Sequence, residues 1–185
     1  SGSMASPVTG YRKGATSAVR CIDVAALVAA AMVRKNQSAE VWPFENDVVE
    51  LSLNPRDSVM TNAGKLASIG GGGTNCSAPL ALLNRRKAEG DLVILVSDNQ
   101  SWVDANQGRG TALMEEWGRF TRRNPTAKLV CIDVQPYGTT QAVDRADVLN
   151  VGGFSDTVFD VINRFREGAL SADHWIGEIE AVRLN

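Results

Sequence analysis

The sequence is short of the side chains that most enzymes rely on for proton transfer at neutral pH. It holds one histidine, His174, which stands beside Trp175 near the end of the chain. The position suits packing or surface exposure better than acid–base work, and neither Ser1 nor Ser3 has a visible base to activate it. Long hydrophobic runs are also missing. The longest, Val24 to Val33, is alanine-rich and flanked by charge, well short of the roughly 20 apolar residues that span a bilayer. It reads as a buried helix. No basic-then-apolar order marks a signal peptide at the Ser/Gly-rich start.

Cysteine is scarce and unpaired in pattern: Cys21, Cys76 and Cys131 form no CxxC motif and are odd in number. Cys21 opens an apolar helical pattern and Cys131 lies in a strand-like run, so both read as small buried hydrophobes. A reducing, cytoplasmic setting is expected. A one-sided charge is lacking too. The net charge is −2 and the pI about 5.5, without the clustered basic footprint of most nucleic-acid binders. The basic residues come as short runs, Arg12-Lys13, Arg85-Arg86-Lys87 and Arg122-Arg123. Two nucleotide motifs are excluded despite four consecutive glycines at 70–73. A P-loop requires lysine, but Gly73 is followed by Thr74-Asn75-Cys76; the dinucleotide fingerprint requires glycine where Cys76 stands.

What is present is an alternation of helical and strand periodicities. Residues 16–35 are helical by composition and length. Residues 39–44 and 47–53 read as two short strands around Glu45-Asn46, with Pro43 placing the first at an edge or bulge. Residues 57–68 suit a helix with Asp57 as its N-cap. The glycines form a loop, and Ser77 to Ala88 is a helix with basic residues in its last turn. Asp91 to Val96 is a continuous apolar run, the mark of a strand covered on both faces. A helix over 110–123, a second buried strand over 127–134, a short strand over 147–151 and a helix over 155–167 capped by Ser155 follow. Ile176, Ile179 and Val182 then fall at helical spacing. The pattern predicts an α/β fold, Rossmann-like and doubly wound, with a mostly parallel sheet and helices on both faces.

In such sheets ligands bind at the carboxyl ends of the strands. Three polar clusters fall at strand-to-helix junctions: Ser1-Gly2-Ser3, Thr74 after the glycines, and Asp98 after the run 91–96. Hydroxyls and a carboxylate make an oxygen-only donor set suited to Mg²⁺. Taken singly, Ser1 and Ser3 read as a terminal tail, Thr74 as a helix cap and Asp98 as a turn residue; their joint spacing favours a metal site.

These residues resemble the metal-ion-dependent adhesion site of von Willebrand factor A-type domains. Ser-Gly-Ser-Met resembles the end of its Asp-x-Ser-x-Ser element, Gly71 to Thr74 its threonine loop, and Ser97-Asp98 its strand-end aspartate. By that resemblance Ser1, Ser3, Thr74 and Asp98 surround Mg²⁺ or Mn²⁺. The motif's leading aspartate lies two positions before Ser1, at the end of a central hydrophobic strand. The chain is accordingly expected to be a single A-type domain over 1–185 whose first strand lies upstream of Ser1. Residues 97–102 and 147–156 further resemble the A-type domain of the TROVE family, relatives of the Ro autoantigen. That likeness implies a cytoplasmic ribonucleoprotein module, not an enzyme, in a protein that binds noncoding Y RNA-like or misfolded RNA through a separate helical domain. A protein partner is expected to donate a carboxylate to the metal. Trp102, close after Asp98, is placed to line the surface where it docks, and Arg12 and Lys13, in the loop 5–15 near the same site, to contact an RNA phosphate or an acidic partner residue; no membrane partner is expected. The alternative is a structural A-type domain with an idle metal face that closes the RNA-binding ring.

Overall fold

The computed structural model describes residues 2–9, 17–98, 112–135, 142, 145–155 and 157–169. Eight principal elements follow in order: α1 (Cys21–Lys35), α2 (Val59–Ala67), α3 (Ala78–Arg85), β1 (Leu92–Ser97), α4 (Ala112–Arg123), β2 (Lys128–Asp133), β3 (Val148–Gly152) and α5 (Thr157–Arg166). A 3₁₀ turn at Ser3–Ala5 precedes them.

The three strands form a parallel sheet in the order β1-β2-β3. Leu92 pairs with Lys128 through to Ser97 with Asp133, and Leu129 with Val148 through to Asp133 with Gly152. The pleat divides the apolar residues of β2 between two cores. Leu129 and Cys131 pack with Leu80, Leu113, Trp117 and Phe120 of α3 and α4. Val130 and Ile132 pack with Val158, Ile162 and Phe165 of α5. Both sheet faces are therefore covered by helices, which explains why β1 and β2 are almost uninterruptedly apolar. A third cluster joins α1 to α2 through Ala26, Ala30, Ala63 and Leu66.

Two segments expected to be strands are not. Within 39–53 the backbone forms a single isolated bridge, Phe44 with Val48, closed by hydrogen bonds from Glu45 N–H to the Asp47 carbonyl (2.8 Å) and Val49 N–H to the Pro43 carbonyl (2.7 Å). The apolar residues of the segment are nonetheless partly buried: Val41, Leu51 and Leu53 pack against the α1–α2 cluster. Alternation reports which side chains are buried, whereas a ladder also requires a neighbouring backbone. No described strand lies beside this segment.

Three helix starts also move. Residues 17–20 are extended rather than helical, because Val8 N–H donates to Val19 O (2.8 Å) and Cys21 N–H to Ser6 O (3.0 Å). The helix begins at Cys21, where the Asp23 carboxylate reaches back to accept from Arg20 N–H at 2.9 Å. Ser58, not Asp57, caps α2 by accepting from Thr61 N–H at 3.0 Å. Asp57 is occupied by Lys65 at 2.8 Å instead. Ser155 stands two residues ahead of α5, and its hydroxyl lies 2.7 Å from the Thr157 hydroxyl. Residues 110, 111 and 156 and the segment around Ile176, Ile179 and Val182 lie outside the described residues.

The ends of α3 and α5 close alike but with different residues. Ala88 N–H reaches Leu83 O (2.9 Å) and Ala169 N–H reaches Arg164 O (2.8 Å), each bond spanning the helix's last turn. This geometry requires a left-handed residue, supplied by Gly168 (φ +78°) in α5 and by Lys87 (φ 51°) in α3.

Candidate metal centre

The carboxyl ends of β1 and β2 carry the polar residues. Ser97 and Asp133 face each other in register, and Asp98 follows directly. Asp98 is fully buried (0% exposed) and Ser97 and Asp133 are 2% and 9% exposed. Burial of this kind sets Asp98 apart from an ordinary solvated turn residue. Val134 N–H donates to Ser97 O (2.9 Å) and Gly153 N–H to Asp133 O (2.7 Å), so the strand ends are held by the ladder.

Thr74 reaches the same region on a clamped loop. The Glu45 carboxylate accepts from Gly72 N–H at 3.0 Å. Asn75 N–H donates to Glu45 O at 2.8 Å, and the Asn75 side chain to Asn46 O at 3.1 Å. A Cβ on Gly72 would meet Glu45 Oε2 at 2.7 Å, and one on Gly73 would collide with Asn46 Oδ1. The glycines thus let the loop close on the Glu45-Asn46 turn, a partner that sequence reasoning did not supply. Thr74 itself is buried at 3% exposure and does not cap α3. That helix starts after Ser77, whose N–H and hydroxyl both donate to Asn75 Oδ1 (3.2 and 2.7 Å). Two residues on, Cys76 Sγ lies 3.9 Å from Ser97 Oγ, which ties the loop to the end of β1.

Ser3 sits in the 3₁₀ turn. Its neighbour Met4 packs with Cys21 at the start of α1 and with Val134 and Val96 at the strand ends. The structure therefore brings Ser3, Thr74 and Asp98 to one end of the sheet, the carboxyl end. Ser1, Arg12, Lys13 and Trp102 lie outside the described residues. Asp133 was not anticipated as a site residue. Its signal was available, since Ile132-Asp133 ends β2 as Val96-Ser97-Asp98 ends β1.

The donor chemistry fits a hard divalent cation. Hydroxyls of Ser3 and Thr74 and carboxylates of Asp98 and Asp133 are all oxygen donors, and Mg²⁺ commonly combines one or two carboxylates with water. Among the described residues no three His, Cys, Asp or Glu side chains are grouped to hold a metal, so an ion here would draw on the hydroxyls. The Cys21 thiol lies in the same field: burial first, and the Asp98 charge next, push it up to about 11. It remains a neutral thiol at pH 7. The N-terminal end of α1, to which Cys21 belongs, adds the positive end of a helix dipole near the carboxylates.

Cys131, inside β2, is pushed up to about 12 by burial, with a smaller effect from Cys76. An unfolded thiol releases its proton near 9, while the folded one retains it. Stability from this group is therefore complete below pH 9 and is lost as pH rises toward 12, at up to about 1.4 kcal/mol per pH unit. Denaturant midpoints between pH 8 and 11 should fall less steeply in Cys131→Ala than in wild type; parallel slopes would refute this.

The parallel sheet covered on both faces, with hydroxyl and carboxylate residues at its carboxyl end, is a Rossmann-like α/β arrangement, the class to which von Willebrand factor A-type domains belong. Within that class, the family model described as the Ro60 vWA domain matches residues 1–166, and the chain belongs to this family. It is 25% identical over 146 residues to the RNA-binding protein RO60 of Deinococcus radiodurans, covering 77% of this chain and 27% of that protein. The crystal structure of the Deinococcus radiodurans RO (RSR) protein superposes with a TM-score of 0.69 at 20% identity, over 83% of this chain and 30% of that one. The chain thus spans less than a third of the length of either relative. Among the described residues no helix is long and apolar enough to cross a membrane, and the three cysteines are free and buried.

Proposed function

We propose that this domain is a divalent-metal-binding interaction module of a Ro-type ribonucleoprotein, cytoplasmic and without catalytic activity of its own. The observation that carries the reading is the gathering of Ser3, Thr74 and Asp98 at the carboxyl end of the sheet in a member of the Ro60 vWA family. Mg²⁺ or Mn²⁺ would be held by these residues with Ser1 and water, and a carboxylate from a protein partner would complete its coordination. Arg12, Lys13 and Trp102 would contact that partner. The name of the Deinococcus relative supports RNA as the cargo, a noncoding Y RNA-like molecule gripped by a separate helical domain. Calorimetric titration of Mg²⁺ into the parent protein should give one saturable site; no heat and no thermal stabilisation by either ion would overturn the reading.

A trench beside β1 supports the expectation of a further strand. Consecutive β1 residues alternate the edge to which their backbone groups point. Asp91 O and Ser97 O bond to β2, so Leu92, Ile94 and Val96 present N–H and C=O to the opposite edge. That edge borders a cavity of about 990 Å³ lined by apolar residues including Ala25, Ala29, Leu66, Phe44 and Leu80. An extended apolar strand from the rest of the parent protein would seat there, its end arriving beside Ser3 with the motif's leading aspartate. Hydrogen exchange in the parent protein should show the amides of Leu92, Ile94 and Val96 as protected as those of β2. Rapid exchange at all three would exclude a seated strand.

A further inference from the structure

The basic runs that are separate in sequence meet in the fold. α3 and α4 share one core, and their carboxyl ends lie together. An open pocket of about 570 Å³ between them is lined by Asn84, Arg85, Glu116, Arg119, Arg122 and Arg123, among others. Arg86 and Lys87 continue the surface from the end of α3, and the Arg86 guanidinium lies 4.4 Å over the Trp42 ring. All six cations are exposed. They face three carboxylates on the same segments, Glu89, Glu115 and Glu116, an excess of three positive charges on a chain whose net charge is −2.

The pocket floor is already braced. Asn84 Nδ2 donates to Glu116 O and Oε2 (2.9 and 2.6 Å), Arg123 Nη2 donates to Asn84 Oδ1 (2.7 Å), and Arg119 Nη1 to Glu116 Oε1 (2.8 Å). Both Glu116 oxygens are consumed in this network. Arg85 and Arg122, by contrast, have no carboxylate partner among the described residues. Two helix carboxyl ends partly offset the cations, since their dipoles are negative there; an excess of guanidinium well beyond what two helix ends require is what remains. The face is also remote from the strand ends. Asn124, just after α4, bonds Gly90 N–H (3.2 Å) and Ala88 O (3.3 Å) ahead of β1, so the pocket lies at the amino end of the sheet, opposite Asp98.

We propose that this face is a contact for the RNA phosphate backbone, separate from the metal centre. Planar, permanently charged guanidiniums pair with phosphate oxygens through two parallel N–H bonds, and a row of exposed ones suits a repeating polyanion. Neither needs a base-specific pocket, so the contact reads charge and spacing, not sequence. The choice of RNA over another polyanion rests on the reading of the parent as an RNA-binding protein.

The test measures binding of a labelled single-stranded RNA to the parent protein in EDTA across a series of KCl concentrations. Arg85→Gln combined with Arg122→Gln removes two exposed, unpartnered charges and spares the braced floor. Affinity should fall about five- to tenfold at low salt, and the slope of log K against log salt should drop by about 1.4, roughly 0.7 for each phosphate no longer neutralised. Arg34→Gln with Lys35→Gln, at the end of α1, should change neither. If the double variant binds RNA with unchanged affinity and slope, this inference fails while the ribonucleoprotein reading stands. If the wild-type parent binds no RNA, both fail. Should the substitutions weaken binding of a polyglutamate peptide but not of RNA, the face serves an acidic protein and the RNA assignment is overturned.

Discussion

Asp98→Asn in the parent protein is expected to weaken Mg²⁺ binding by more than about 100-fold, beyond the 10–100-fold loss typical when only an outer-shell partner of a metal ligand is changed. The substitution keeps the size of a fully buried side chain and removes its charge, so the fold is preserved while the strongest oxygen donor is removed. The readout is stability as well as affinity. At a metal concentration about 100 times the dissociation constant, binding stabilises the folded state by about 2.7 kcal/mol. Wild type should gain that much with Mg²⁺ and the variant almost nothing. Thr74→Ala should lose less, because a neutral hydroxyl contributes less than a carboxylate. If Asp98→Asn retains the full Mg²⁺-induced stabilisation, Asp98 is not a ligand.

Trp117→Ala is expected to cost about 3–5 kcal/mol, the usual range for emptying a large aromatic site, against a typical total of about 5–15 kcal/mol. Trp117 is fully buried, stacks on Phe120 at 5.6 Å between centroids, and donates its indole N–H to Asp147 Oδ2 at 2.8 Å. Asp147 is also gripped by Arg145 at 2.8 and 2.9 Å, and its carbonyl accepts from Leu129 N–H. The side chain therefore fastens α4 to the start of β2 and β3. Because Arg145 still satisfies Asp147, most of the loss should come from packing. Trp117→Phe, which keeps an aromatic ring but removes the donor and part of the buried volume, should cost less, about 1–3 kcal/mol. Urea midpoints read both, and an alanine variant within about 1 kcal/mol of wild type would show that α4 is not anchored here.

The parts of the fold legible in sequence are those where one signal dominates. β1 and β2 are continuous apolar runs, and only a doubly covered strand favours such a run at that length. The segment 39–53 is as apolar as a strand, yet Val41, Leu51 and Leu53 are partly buried against α1 and α2 and Phe44 against the core shared by the sheet with α3 and α4, and no described strand lies beside its backbone. The cap of α2 was off by one residue because Asp57 and Ser58 are equally good caps; Lys65, eight positions beyond Asp57, decides between them. At the strand ends, Thr74 and Asp98 could be picked out because each follows a recognisable breaker or run. Asp133 shared that position and was passed over. Its pairing with Ser97 depends on register, which sequence periodicity does not carry. The Glu45 clamp on Gly72 and the meeting of Arg85 with Arg122 are long-range consequences of packing. Nothing local in either segment names its partner.

The measurement that bears most directly on the metal centre is paramagnetic broadening of backbone amide signals of the parent protein by substoichiometric Mn²⁺. Broadening should centre on Ser3, Thr74 and Asp98, reach Asp133, and leave Arg85 and Arg122 sharp at the other end of the sheet. Broadening scattered over surface carboxylates such as Glu50 and Glu89, with Thr74 and Asp98 unaffected, would contradict a single ion held at the strand ends.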